Sequence, residues 1–295
     1  HIYCVLQILR FLIFFLIIKL NKMFFLPLFD ENPSKNVPLV TWFFIGLCFI
    51  IFFYQSNLTN YLELKFIYKY SFIPFFFNDF NNQNPVSFLN PYLTLVTSAF
   101  LHAGWMHILG NMLYLWIFGD NVEDSMGSVK FFVFYLLCAI SGSLLQYFSN
   151  PTSDIPIVGA SGAIAGVLGS YLILYPKANI KVFMWVIIII RTINVPAWIV
   201  LGIWILGQFF SVSAGSSSGG GGVAYFAHIG GFITGMALTP LMRKKGTPLF
   251  NEQLTSPWEI SKANKSDIKR TFTHNRSSSL PSFKRTRSSL PKFRK

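Results

Sequence analysis

Three groups of residues in otherwise apolar surroundings have the side chains for covalent chemistry. Ser161 stands in Gly159-Ala160-Ser161-Gly162, and His228 in Ala227-His228-Ile229-Gly230-Gly231. His107 and Asn111 are four residues apart, which puts them on one face of a helix. A serine hydroxyl and an imidazole brought together perform nucleophilic catalysis: the His takes the hydroxyl proton and the oxygen attacks a carbonyl. The tetrahedral intermediate needs donors aimed at its oxygen, each worth about 10²–10³ in rate. An Asn amide and a second imidazole can supply them. Ser161 at a helix N-terminus would add a free backbone N–H and the positive end of the helix dipole.

Each of these residues also has a plain structural role open to it. A Ser between glycines packs helices, and Gly162/Gly166 and Gly231/Gly235 form small-x-x-x-small pairs. An Asn bridges helices, and a single His bonds a backbone carbonyl. Other chemistries fit less well. The chain has no H-E-x-x-H motif, and His102 and His107 are five apart, a poor spacing for one face. Cys4, Cys48 and Cys138 are scattered, so neither a disulfide framework nor a metal site is expected. No cofactor is implied. The carboxylates Asp120, Glu123 and Asp124 fall at the far end of their segment, and Asp154 falls in a loop. A Ser–His dyad is therefore favoured over a triad.

The elements that must position these groups are membrane spans. Of the 295 residues, 53% are hydrophobic and only 12% charged, against about 25% charged in soluble domains. The apolar residues come in long runs. The expected fold is all-α, a polytopic membrane protein with six transmembrane helices at about 37–55, 106–120, 130–149, 160–175, 196–213 and 223–242. Between the first two lies a Phe/Asn/Pro-rich stretch, 57–104, expected to be partly ordered. Residues 178–195 are apolar but interrupted by Arg191, just ahead of Pro196, and do not read as a further span. Residues 1–22 contain the apolar stretch Leu9–Leu20. They read as an upstream extension or an extra hydrophobic segment, with Met23 opening the protein proper.

The net charge of +13 is uneven. Residues 1–242 carry 10 Lys/Arg against 8 Asp/Glu, and residues 243–295 carry 14 against 3. The basic character thus belongs to a tail that is expected to be disordered, which argues against a nucleic-acid partner. The tail reads first as a solvated segment that fixes orientation; in the sharper reading membrane lipids are its partner, through anionic head groups. Lys and Arg prefer the cytoplasmic side of a membrane, which puts the tail, residue 37 and the loop 176–195 inside. Spans two, four and six then enter from the outer side. His107/Asn111, Ser161 and His228 all lie near the starts of those spans, so topology alone brings them level.

These residues resemble the rhomboid family of intramembrane serine proteases, over about 24–242. The carriers are His102 with His107 and Asn111, then Gly159-Ala160-Ser161-Gly162, then Ala227-His228 with Gly231 and Gly235. The stretch Phe25–Asp30 and a turn at Gly119–Asp124 look like a bacterial branch of the family. The resemblance implies a six-helix protease domain over 23–242, with Ser161 as nucleophile and His228 as general base. It implies an oxyanion hole of His107, Asn111 and the Ser161 N–H. It also implies close helix approach at Gly159, Gly162, Gly166, Gly231 and Gly235. The substrates implied are transmembrane proteins cut near the outer face, in a bacterial cytoplasmic membrane with both termini cytoplasmic. Two features depart from the family pattern. Ala165 stands where many members carry a Tyr stacked on the catalytic His, and the Trp-Arg pair often found in the first external loop is missing. The competing functions are a catalytically silent rhomboid-like binding or quality-control protein, and a transporter.

Overall fold

The computed structural model describes residues 23–78, 89–186, 189–213 and 223–251. The chain divides into a compact unit, His1–Gln253, and a second unit, Leu254–Lys295. The second unit, residues 1–22 and the Gly/Ser-rich stretch 214–222 lie outside the described residues, as does most of the basic tail.

The order of elements is strand β1 (Met23–Asp30), helices α1 (Leu39–Ser56), α2 (Asn60–Tyr70), α3 (Pro74–Asn78) and α4 (Pro91–Thr97), and a 3₁₀ turn at Ser98–Phe100. Then come α5 (Trp105–Met126), α6 (Ser128–Ser149), α7 (Ser161–Leu174), strands β2 (Asn179–Val186) and β3 (Ile189–Pro196), α8 (Ala197–Ser213) and α9 (Tyr225–Met242). The protein is mostly helical, and a helix occupies each of the six segments read as spans. By length and apolarity, α1 and α6 can each cross a membrane alone, and the bent pair Pro91–Phe100 with Trp105–Met126 makes a third candidate. Helices α7 and α8 are apolar but shorter, 14 and 17 residues.

Helix α7 is the axis of the bundle. Most of its residues are buried, between α5, α6 and α9. Two glycine pairs allow this. A Cβ on Gly231 would lie 1.9 Å from the Gly162 carbonyl oxygen, and one on Gly235 would lie 2.0 Å from that of Gly166. The backbones of α7 and α9 are therefore in direct contact, as small residues permit in a membrane. Helix α8 is the loosest of the long helices, burying only Ala197 and Leu201. Its Phe209, Phe210, Leu206 and Ile203 are exposed, as a lipid-facing surface would be.

The all-α expectation is corrected by a three-stranded antiparallel sheet in the order β1-β2-β3. The interrupted apolar stretch 178–195 is its β2–β3 hairpin. Its Ile and Val residues favour strands, and β1 completes the sheet from 150 residues upstream. β1 is an edge strand and accommodates Pro27 next to a register shift between Pro27 and Phe29. The expected turn at Gly119–Asp124 is also corrected: these residues are the last turns of α5, which ends at Met126. Their polar side chains are satisfied by other elements. Glu123 is buried and accepts from the Val40 N–H at 3.0 Å, the Thr41 N–H at 2.8 Å and the Ser128 hydroxyl at 2.6 Å. It thus caps the start of α1 and ties it to α6. Asn121 donates to Asp30 at 2.8 Å, and Tyr171 donates to the same carboxylate oxygen at 2.6 Å. Gly127, with φ of +86°, makes the sharp joint from α5 into α6.

The chain stays with the bundle beyond Arg243, where the tail was expected to begin. The Lys244 N–H donates to Ser125 O at 2.8 Å, and the N–H groups of Phe250 and Asn251 donate to Ile173 O and Leu174 O at 2.7 and 2.8 Å. These carbonyls end α5 and α7 and have no acceptor role within their own helices.

Candidate active site

His107, Ser161 and His228 all stand near the starts of their helices. Ser161 is the first residue of α7, where backbone N–H groups lack intrahelical acceptors. The segment before it is held in place from two sides. Ile157 pairs with Phe72 in an isolated bridge, and the Gly159 N–H donates to Ser98 O at 2.9 Å. Gly159 has φ of +120°, and a Cβ there would lie 2.7 Å from His107 Nε2. Only glycine satisfies both conditions.

His107 and Asn111 therefore stand against the chain two residues before Ser161. The Ala103 N–H points at His107 Nδ1 at 3.4 Å. An accepting Nδ1 leaves the proton of the neutral ring on Nε2, the nitrogen beside Gly159. Asn111 Nδ2 lies 3.6 Å from the same Cβ position. It is buried and has no hydrogen-bond partner among the described residues. A buried amide donor left unpaired calls for an explanation, and an incoming oxygen is one. His102 packs edge-on against His107, ring centroids 5.2 Å apart, and its carbonyl accepts from Gln55 Nε2 at 2.8 Å.

His228 reaches this region from α9. Gly162, the residue after Ser161, contacts Ala227 and Gly231, which lie one residue before His228 and three after it. The residues flanking Ser161 and His228 thus meet at the closest glycine contact among the described residues. Ser161 also lines a small cavity with Ser98, Ala139, Ser143, Gly159 and Ala227. Asp154 is exposed in the loop before α7.

The surroundings of His228 were not foreseen. Ala165 is fully buried in α7 and offers the imidazole no ring. Instead, Trp204 of α8 lies beside it at 5.6 Å between centroids, tilted by 35°, and Tyr225 meets it edge-on at 6.4 Å. Gln208, also of α8, places Oε1 2.8 Å from His228 Nδ1. The available signal was a lone amide in an otherwise apolar helix, which is costly in a membrane and usually has a task.

Comparison with known proteins bears on this arrangement. The family model described as "Rhomboid domain" matches residues 90–245, just over half of the chain. The chain belongs to the rhomboid family. Rhomboids are integral membrane proteins, and the matched domain contains His107, Asn111, Ser161, Gln208 and His228. The chain is similar to "Rhomboid protein 1, mitochondrial" of Saccharomyces cerevisiae, 34% identical over 150 residues, which are 49% of this chain and 40% of that protein. It is similar to "Rhomboid protease GluP" of Bacillus subtilis, 36% identical over 162 residues, 55% of this chain and 28% of the relative. It is similar to "RHOMBOID-like protein 1" of Arabidopsis thaliana, 34% identical over 151 residues, 49% of this chain and 33% of the relative. The chain thus covers less than half the length of each of these curated relatives.

Proposed function

We propose that this rhomboid is an intramembrane serine endopeptidase with Ser161 as nucleophile and His228 as general base. Ser161 Oγ attacks the scissile carbonyl while the His228 ring takes its proton. The oxyanion is met by Asn111 Nδ2, His107 Nε2–H and the Ser161 N–H. Collapse of the intermediate breaks the peptide bond, and His228 returns the proton to the leaving amine. Water then hydrolyses the acyl-enzyme by the same route, restoring the serine. The observation that supports this reading is the contact of Gly162, next to Ser161, with Ala227, next to His228, and with Gly231. The unpaired Asn111 amide beside Gly159 supports the oxyanion assignment.

The reading includes six spans, with α7 short because the bundle shelters it. It includes both termini on the cytoplasmic side of a bacterial inner membrane, supported by the basic 176–195 loop and tail. The substrates are single-span membrane proteins cut near the outer face. A peptide bond there can leave its helix and reach water, whereas unwinding deep in lipid leaves backbone groups unpaired.

The test is cleavage of a single-span substrate by purified protein in detergent, with products mapped by mass spectrometry. Ser161→Ala and His228→Ala are each expected to lower kcat by at least about 10³, with the double variant no worse, because the two act as one unit. Substantial proteolysis by Ser161→Ala removes the assignment. An inert wild type that still binds the substrate favours the catalytically silent reading, and solute uptake surviving Ser161→Ala favours a transporter.

A further inference from the structure

Among the described residues, Gln208 is the one side chain that hydrogen-bonds the imidazole of His228, through Oε1 and Nδ1 at 2.8 Å. The chemistry of that contact depends on which way the amide is turned. Gln208 Nε2 donates to the carbonyl of Trp204, one helical turn earlier, at 3.1 Å. That bond uses the NH₂ group and leaves the carbonyl oxygen toward His228. A carbonyl oxygen can only accept, so Nδ1 must carry the proton. The other nitrogen, Nε2, is then left with a free lone pair, the form a general base needs. Ala197, Leu201, Trp204 and Gln208 follow one another at helical spacing, and this stripe is the side of α8 that meets the bundle. Trp204 packs on the same imidazole, so one face of α8 both supports the ring and sets its tautomer.

We propose that Gln208 is the positioning residue of His228, a neutral counterpart of the carboxylate that orients the imidazole in a triad. This rests on the reading of Ser161 and His228 as nucleophile and base. A neutral acceptor suits the site: it fixes tautomer and orientation without placing an unpaired charge in a membrane, which is expensive. It follows that α8, the least buried of the long helices, controls the competence of a base carried by α9.

The test uses the full chain in detergent with a transmembrane peptide substrate. Gln208→Leu keeps the volume and removes the acceptor. Its kcat is expected to fall about 10–100-fold, the usual worth of an outer partner of a functional imidazole, with KM little changed. Gln208→Glu keeps an acceptor and adds a negative charge, which favours imidazolium. It is expected to retain activity at its own optimum, with the acid-side limb of the pH–rate profile moved to higher pH. Nitrogen NMR of the histidine-labelled protein, with His228→Ala to assign the signal, is expected to show Nδ1–H in the wild type and a mixture of tautomers in Gln208→Leu.

A Gln208→Leu variant with unchanged kcat overturns the proposal, as does an acid limb unmoved in Gln208→Glu, or an Nε2–H tautomer in the wild type. If Gln208→Leu fails to fold, Gln208→Glu and the wild-type tautomer still decide the matter. Proteolysis surviving Ser161→Ala would instead defeat the nucleophile assignment, and the tautomer measurement would remain a valid test of the Gln208–His228 bond.

Discussion

Asn111 illustrates how the burial of a single side chain bears on the proposed catalysis. Its amide is buried with Nδ2 unpaired among the described residues, a state that costs about 1–3 kcal/mol. An oxyanion arriving beside Gly159 would satisfy it only when charge has developed, so the interaction favours the transition state over the ground state. Asn111→Ala is therefore expected to lower kcat about 10²–10³-fold with KM nearly unchanged. Steady-state kinetics separates the two, and a loss confined to KM would place Asn111 in substrate binding. Asn111→Leu, which removes an unpaired donor, is also expected to fold at least as stably. Ser161, His228, His107 and Asn111 were legible in the sequence because polar residues in apolar helices are few and conspicuous. Gln208 has the same property but sits in no motif, and only the packing of α8 on α9 reveals its partner.

At the scale of elements, the α7–α9 contact sets how closely the helices carrying the proposed nucleophile and base approach. Gly231→Ala would push a methyl group to 1.9 Å from the Gly162 carbonyl oxygen, and backbone cannot rotate away as a side chain can. The helices must separate, at a cost of about 3 kcal/mol. The expected outcome is a lower thermal midpoint in detergent together with loss of proteolysis. Gly202→Ala on α8 is the control, since a Cβ there meets nothing within 4 Å and alanine is the better helix former by about 0.5–1 kcal/mol. Equal behaviour of the two variants would show that the close approach is not required. The helices themselves were readable from apolar runs. The sheet was not, because the 178–195 segment gives no sign of its pairing with residues 23–30.

At the scale of the whole molecule, the end opposite the site is held by buried polar groups, with Asp30 at their centre. Burial raises its carboxyl to about 7 from 3.8; the Tyr171 hydrogen bond opposes the rise and Asp120 adds to it. The folded state therefore holds this proton more tightly than the unfolded chain. The contribution to stability is full below about pH 4 and is lost as pH climbs to about 7. Thermal melts of the wild type are expected to show this decline between about pH 4 and 7. Asp30→Asn, which keeps an acceptor for Tyr171, is expected to flatten it, and identical pH dependence in the two proteins would count against the assignment.

The sequence by itself determined the membrane class, the positions of the six long helices and the residue types that could cleave a peptide bond. Each of these follows from local quantities: the length of an apolar run, the presence of a polar residue within it, the spacing of glycines. Tertiary structure alone decided how β1 closes a sheet with β2 and β3, how Glu123 joins α1 to α6, and which residue faces His228 Nδ1. These depend on contacts between residues far apart in the chain, the Gln55–His102, Asn121–Asp30 and Gln208–His228 hydrogen bonds among them. A hydrogen bond has direction as well as distance, and a one-dimensional pattern carries neither.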